Sequence, residues 1–246
     1  MKAALIRISG HWAHFRRPET NNNPLTHDMI TKTALIGLMG AVNGIEREEM
    51  KLLFPQLSDD IIYGVKLESR VWKQSWGFTL RRFDTDKAGL VVTQVAPKYF
   101  EFLREPQFTI SVALASPRSE EYFDEFILRL REERSAYEPV LGLHNCPATL
   151  KLIGTYDAER HSGPFETSGF VPTALRPKPA PKVPGRIGFD SLPTIQDDNW
   201  LNPRDKYVSV VYLDPVSREV KATLSATGEY VRIGGAAEEV TEWAMI

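Results

Sequence analysis

The stretch from Gly10 to Gly44, GHWAHFRRPETNNNPLTHDMITKTALIGLMGAVNG, constrains the fold more than any other part of this chain. A strand running through Trp12 delivers His14, Phe15, Arg16 and Arg17 to Pro18, where it must stop because proline has no N–H for a ladder. Glu19 to Met29 is polar and holds Asn21, Asn22, Asn23 and Pro24. It has no core face to bury and reads as a loop. Thr31 to Gly44 then reads as a helix, with Ala34, Leu35, Leu38, Met39 and Val42 on one face. Thr31 or Thr33 suits its cap and Gly44 its end. Gly37 and Gly40 cost roughly 1 kcal/mol each against alanine in a helix, so close backbone approach is expected there. A cationic, aromatic strand end therefore meets a helix start at Thr31, Lys32 and Thr33, a natural seat for phosphates.

The strand leading into this stretch is Ala3 to Ser9, continuing to Arg17. A second strand is expected over Asp60 to Ser69. Val71 to Val95 follows as a long protruding hairpin that turns between Asp84 and Gly89. Phe108 to Ala115 reads as a strand and Glu120 to Arg134 as a helix striped by Tyr122, Phe123, Phe126, Ile127 and Leu130. Leu141 to Pro147 is turn-rich, and Ala148 to Tyr156 is a fourth strand. This order predicts an α+β fold of the ferredoxin-like kind, which RNA-recognition modules also use. The expected division is a ferredoxin-like domain over 1–162, with its arm at 71–95, and a proline-containing, β-rich region over 163–246. In the latter, Pro172 to Pro184 holds five prolines and reads as an extended connection. Tyr207 to Leu213 and Val220 to Ile233 read as strands, and the acidic tail Ala236 to Ile246 as a short helix or a frayed end.

The chain has 246 residues and a formal net charge of -2, so a basic footprint for nucleic acid has to be local. Lys66 to Arg104 supplies one: eight lysines and arginines against four acids, net +4. The single cysteine, Cys146, excludes an internal disulfide framework and suits a reducing, cytoplasmic setting. No stretch approaches the ~20 apolar residues of a membrane span, and the start of the chain carries no signal-peptide pattern.

Phe15, Arg16 and Arg17 alone are equally well read as a solvated strand end; beside the Thr-Lys-Thr helix start the phosphate reading gains, because arginine forks match phosphate oxygens. Trp72, Trp76, Phe78 and Phe83 interleave with Lys73, Arg81 and Arg82. Aromatics in strands more often serve a core, but a two-stranded arm has little core of its own. They are expected to meet a partner chain, RNA bases, or both. The histidines lack metal-ligand spacing, no cofactor motif is present, and no paired histidine or His/Lys/Tyr group is local enough to mark a ribonuclease.

These residues resemble the CRISPR-associated protein five family, a branch of the RAMP superfamily, closest to type I-B complexes. The resemblance is carried by Phe15-Arg16 at the strand end, the Asn, Thr and Pro loop, the TALIGLMGAVNG helix from Thr33 to Gly44, the arm, and the LGLHNCPAT segment from Leu141 to Thr149. It implies a non-catalytic subunit of a Cascade effector that binds the five-prime handle of CRISPR RNA (crRNA). It also implies contacts with the backbone subunit, the large subunit and target DNA near the guide start. Carried over, His14, Arg16, Arg17 and Asn21 to Asn23 would hold the handle, and Thr31, Lys32 and Thr33 would offer donors. Lys73, Trp76, Arg81 and Arg82 would lie on the arm, and His144 and Asn145 would border the handle. One branch of the family cuts precursor crRNA with tyrosine, lysine and histidine; that set has no residue-by-residue match here. A metal-independent endoribonuclease is the alternative, and a protein-only interaction module a third reading.

Overall fold

The computed structural model describes residues 1–20, 23–86, 89–179, 185–194, 207–215, 222–234 and 240–246, with side chains left aside over 83–86, 89–93 and 185. Thirteen strands and three α-helices are found among them. The first strand, β1 (Lys2–Ser9), buries Ala4, Ile6 and Ile8 and turns Lys2 and Arg7 to solvent. It does not run on to Arg17 as expected: the ladder breaks after Ser9, and β2 (Trp12–Ala13) joins a different sheet.

Helix α1 (Lys32–Asn43) is capped by Thr31, whose hydroxyl accepts from the Ala34 N–H at 3.2 Å. Gly44 ends it in the left-handed region (φ 78°), with its N–H on the Gly40 carbonyl. Of the two interior glycines, Gly40 meets the expectation of close approach, since a Cβ there would lie 2.8 Å from Met50 Sδ; Gly37 faces open space. Met50 belongs to α2 (Arg47–Asp60), a helix with no counterpart among the expected elements. Its buried residues are Phe54, Leu57, Ser58 and Asp60. Met50, Leu53, Phe54 and Leu57 keep the i, i+3, i+4, i+7 spacing of an apolar stripe, so the sequence did carry a signal for it, with Pro55 lying inside the pattern.

Next come β3 (Ile61–Leu67), the long hairpin β4 (Lys73–Asp86) and β5 (Gly89–Arg104), then β6 (Gln107–Leu114), α3 (Glu120–Arg131) and β7 (Thr149–Thr167). The hairpin's return strand runs to Arg104, nine residues past the expected end at Val95. The fourth expected strand likewise continues eleven residues beyond Tyr156, so residue 162 falls inside β7. Its first half pairs with β1 and its second half with β12 (Leu224–Ile233). Between these lie β8 (Val171–Pro172), β9 (Lys178–Pro179), β10 (Gly185–Pro193) and β11 (Tyr207–Pro215); β13 (Thr241–Trp243) comes last. The expected extended connection thus contributes β8 and β9, and its residues 180–184 lie outside the described set.

The architecture is mixed α/β and strand-dominated. The main sheet runs β13-β12-β7-β1-β6-β3, with β9 beside β12. At its far end Ile246 exchanges backbone hydrogen bonds with Tyr63 of β3, at 3.0 and 3.1 Å, so the chain's last residue is tied to the opposite edge. Of the tail, expected as a helix or frayed, residues 236–239 lie outside the described residues, 241–243 form a strand and Ile246 is held against β3. Two smaller sheets, β10-β11-β8 and β2-β5-β4, flank it. Helices α1 and α3 bury Leu35, Leu38, Met39, Phe123, Phe126 and Leu130 with Ile6, Ile110 and Tyr63 in one core, each such side chain contributing about 1.5–3 kcal/mol by leaving water.

Candidate nucleic-acid interface

Residues 14–17 pair with 25–27 as a short ribbon. Arg17 N–H donates to the Leu25 carbonyl (2.8 Å), His27 N–H to the Phe15 carbonyl (2.8 Å), and Arg16 bridges Thr26. Alternation along this ribbon buries Phe15, exposes Arg16 and leaves Arg17 half-buried.

Arg17 does not present its guanidinium to solvent as the sequence leads one to expect. Its Nη2 donates to Asp190 Oδ1 at 2.7 Å and its Nε to the Thr26 carbonyl at 3.2 Å. The Asp190 carboxylate is fully buried on β10 and also accepts from His27 Nδ1 (3.0 Å) and from the backbone N–H groups of Asp28 and Ser191 (both 2.8 Å). Burial pushes the Asp190 carboxyl upward, but the His27 bond, the backbone donors and Arg17 hold it below the usual carboxylate range. Lys73 is similarly occupied at the root of the arm, with Nζ 2.6 Å from Asp28 Oδ1, 3.2 Å from Glu101 Oε1 and 2.8 Å from the Thr26 carbonyl. Tyr212 of β11 donates to Asp28 Oδ2, and burial pushes its phenol up. The two basic residues therefore fasten the N-terminal ribbon to the arm and to the β10-β11-β8 sheet.

Other expected contact residues are also withdrawn. His14 is buried; its Nδ1 donates to the Glu101 carbonyl at 2.7 Å, and burial lowers its pKa, keeping it neutral near pH 7. Lys32, at the first turn of α1, is only 6% exposed, and burial brings its pKa down to about 8 against a weak pull from Asp59. The Thr31 hydroxyl is spent on its own helix and on Thr33 Oγ1 at 2.9 Å. Asn23 is exposed, while Asn21 and Asn22 lie outside the described residues.

Among the described residues Arg16, whose Nη2 donates to the Thr20 carbonyl at 3.4 Å, is exposed, as is much of the arm. Register places Gln74, Trp76, Phe78, Leu80 and Arg82 on one face of β4, opposite Phe102, Phe100, Lys98, Ala96 and Gln94 of β5. The other face carries Lys73, Ser75, Gly77, Thr79 and Arg81 against Leu103, Glu101, Tyr99, Pro97 and Val95. Phe78 and Phe100 meet edge to face at 5.6 Å, and His14 and Phe102 continue the cluster inward. Trp76, Tyr99, Arg81 and Arg82 are exposed.

The Leu141 to Pro147 loop is brought against this ribbon. His14 N–H donates to the Leu141 carbonyl at 3.0 Å. Gly142 (φ 92°) sits so close that a Cβ would be 2.0 Å from the His14 carbonyl oxygen. His144 and Asn145, the residues the sequence singles out there, are both exposed. Sequence reasoning missed Asp190 and Glu101, whose carboxylates set the fate of Arg17 and Lys73. It also missed Trp12, Phe100 and Phe102, for which the alternation of aromatics was a usable signal. Among the described residues no group of histidine, cysteine or carboxylate side chains could hold a metal ion, and no helix is long and apolar enough to cross a membrane.

Residues 4–194 match the sequence model of the family described as CRISPR-associated protein (Cas_Cas5). The CRISPR system Cascade subunit CasD of Escherichia coli (strain K12) is 26% identical over 163 residues, which cover 63% of this chain and 71% of that one. A CRISPR protein from Archaeoglobus fulgidus, known from a crystal structure, shares the fold: the match covers 99% of both chains at a TM-score of 0.59 and 12% identity. With its basic arm, its ribbon from His14 to His27 and a family match spanning most of its length, the chain belongs to the CRISPR-associated protein (Cas_Cas5) family.

Proposed function

We propose that this protein is a non-catalytic, crRNA-binding subunit of a type I Cascade effector, of the I-B kind, that caps the five-prime handle. The observation that carries the reading is the exposed cationic and aromatic arm, paired at its root with Trp12 and Ala13 just before the His14–Arg17 ribbon, in a chain of this family. The likeness to a Cascade subunit supports it. Arg16, Arg81 and Arg82 supply charge toward phosphates, Trp76 a ring for stacking, and His144 and Asn145 polar contacts at the adjoining loop. The arm also reaches the backbone subunit and target DNA near the guide start, and the large subunit docks at the foot. We read the β7-β1-β6-β3 order, with its two crossover helices, as the ferredoxin-like core of this family. Guide pairing reads the target, while this chain reads the handle and the backbone shape.

The test is binding of repeat-derived RNA with and without its handle, at several salt concentrations. Handle-bearing RNA should bind more tightly, and Arg16→Ala, Arg81→Ala and Arg82→Ala should each lower affinity and reduce the salt slope by about 1. Equal affinity for the two RNAs overturns the reading. Discrete cleavage of the repeat in EDTA would replace the non-catalytic role with an endoribonuclease.

A further inference from the structure

At the foot of the arm Trp12 of β2 pairs with Arg104 of β5. Together with Gln74 and Trp76 of β4, and with His11 and Glu105, they line a hollow of about 310 Å3. Trp12 and Trp76 meet edge to face, with ring centroids 5.3 Å apart and planes at 79°, and Trp76 keeps 44% of its surface in solvent. A planar group stacked on the Trp76 face would thus touch a second indole.

The backbone ends β5 in a way that builds this hollow. Glu105 has φ 48°, a conformation uncommon for a residue with a Cβ. Its N–H donates to the His11 carbonyl at 2.8 Å, and its carbonyl accepts from Ser69 Oγ at 3.2 Å, which hold the turn. On a continuing strand Glu105 would face away from Arg104; with the strand broken here, both line the same hollow. Neither side chain has a partner among the described residues.

We propose that this hollow receives one nucleobase and that the base is guanine. This rests on the RNA-binding reading and deepens it. The Arg104 fork suits the two acceptors O6 and N7. The Glu105 carboxylate supplies two acceptors for the neighbouring N1–H and 2-amino donors. Adenine, cytosine and uracil offer one half of that pattern or neither. Trp76 provides the stacking surface. An apolar anchor from a partner protein fits less well, because it would bury Arg104 and Glu105 without partners.

The test uses the full chain and the mononucleotides GMP, IMP, AMP, CMP and UMP, followed by tryptophan fluorescence. GMP should bind about ten-fold or more tightly than AMP, CMP and UMP, with IMP, which lacks the 2-amino group, in between. Glu105→Gln should erase the difference between GMP and IMP, and Trp76→Leu should abolish the response. Both positions lie at the surface, and circular dichroism confirms folding. Equal response to all five, or none, overturns the proposal; so does loss of a copurifying protein on Trp76→Leu without any mononucleotide response. Handle-bearing RNA is titrated in parallel. If it binds normally while GMP shows no preference, the hollow is misassigned and the handle reading stands. If GMP is preferred while handle-bearing and handle-less RNA bind alike, the handle reading fails and the hollow stands.

Discussion

Replacing Arg17 by methionine separates a folding role from a phosphate-binding one. The side chain is 22% exposed and pairs with a carboxylate that has no exposure at all. Removing one partner of a buried pair costs about 3–5 kcal/mol, because the other charge stays behind. Here Asp190 keeps His27 and two backbone N–H donors, and the guanidinium is partly screened, so a loss of about 2–3 kcal/mol is expected. For a chain of this size that is a fall of roughly 4–12 °C in midpoint temperature, read by far-UV circular dichroism. Asp190→Asn should cost a similar amount, and the double variant less than the sum of the two. The pH dependence has a defined sign. Asp190 is held below its ordinary value of 3.8, so its contribution is present above that pH and disappears as pH falls through the lower, folded value. The gap between wild type and Arg17→Met should therefore close only in that acid range. A variant that unfolds within about 1 °C of wild type, yet has lost RNA binding, would refute this assignment.

Lys32→Met should stabilise the protein at pH 7 by about 3 kcal/mol, since a shift from 10.5 to about 8 marks the cost of keeping a buried ammonium. The unfolded chain binds the extra proton between those two values, so wild-type stability rises with pH across that window and the advantage of Lys32→Met fades there; urea titrations at pH 7, 9 and 10.5 check it. Gly142→Ala combines a positive φ with a 2.0 Å clash against backbone and should lose at least about 2 kcal/mol. Gly40→Ala meets only the flexible end of Met50, and its helix-propensity gain of about 1 kcal/mol should leave it near neutral; thermal unfolding of the two side by side distinguishes them.

Local chemistry by itself determined α1, from Thr31 at its cap to Gly44 at its end, because capping and a 3.6-residue stripe involve only near neighbours. It likewise determined the arm's existence, its alternating faces and its aromatic and cationic content. Helix α2 was legible by the same rule, since Met50, Leu53, Phe54 and Leu57 keep helical spacing, but Pro55 sits inside that pattern. Only the tertiary structure decided which cations face solvent. Arg17 and Asp190 are 173 residues apart, and no periodicity reports a partner at that distance. Lys32 and His14 are withdrawn from solvent by burial, which depends on what packs over them. The hollow beside Trp76 exists because the β2-β5-β4 register and the reversed φ of Glu105 collect three short segments at one place. Propensity acts between neighbours in the chain, whereas exposure and pairing of charge are set by which distant strands lie side by side.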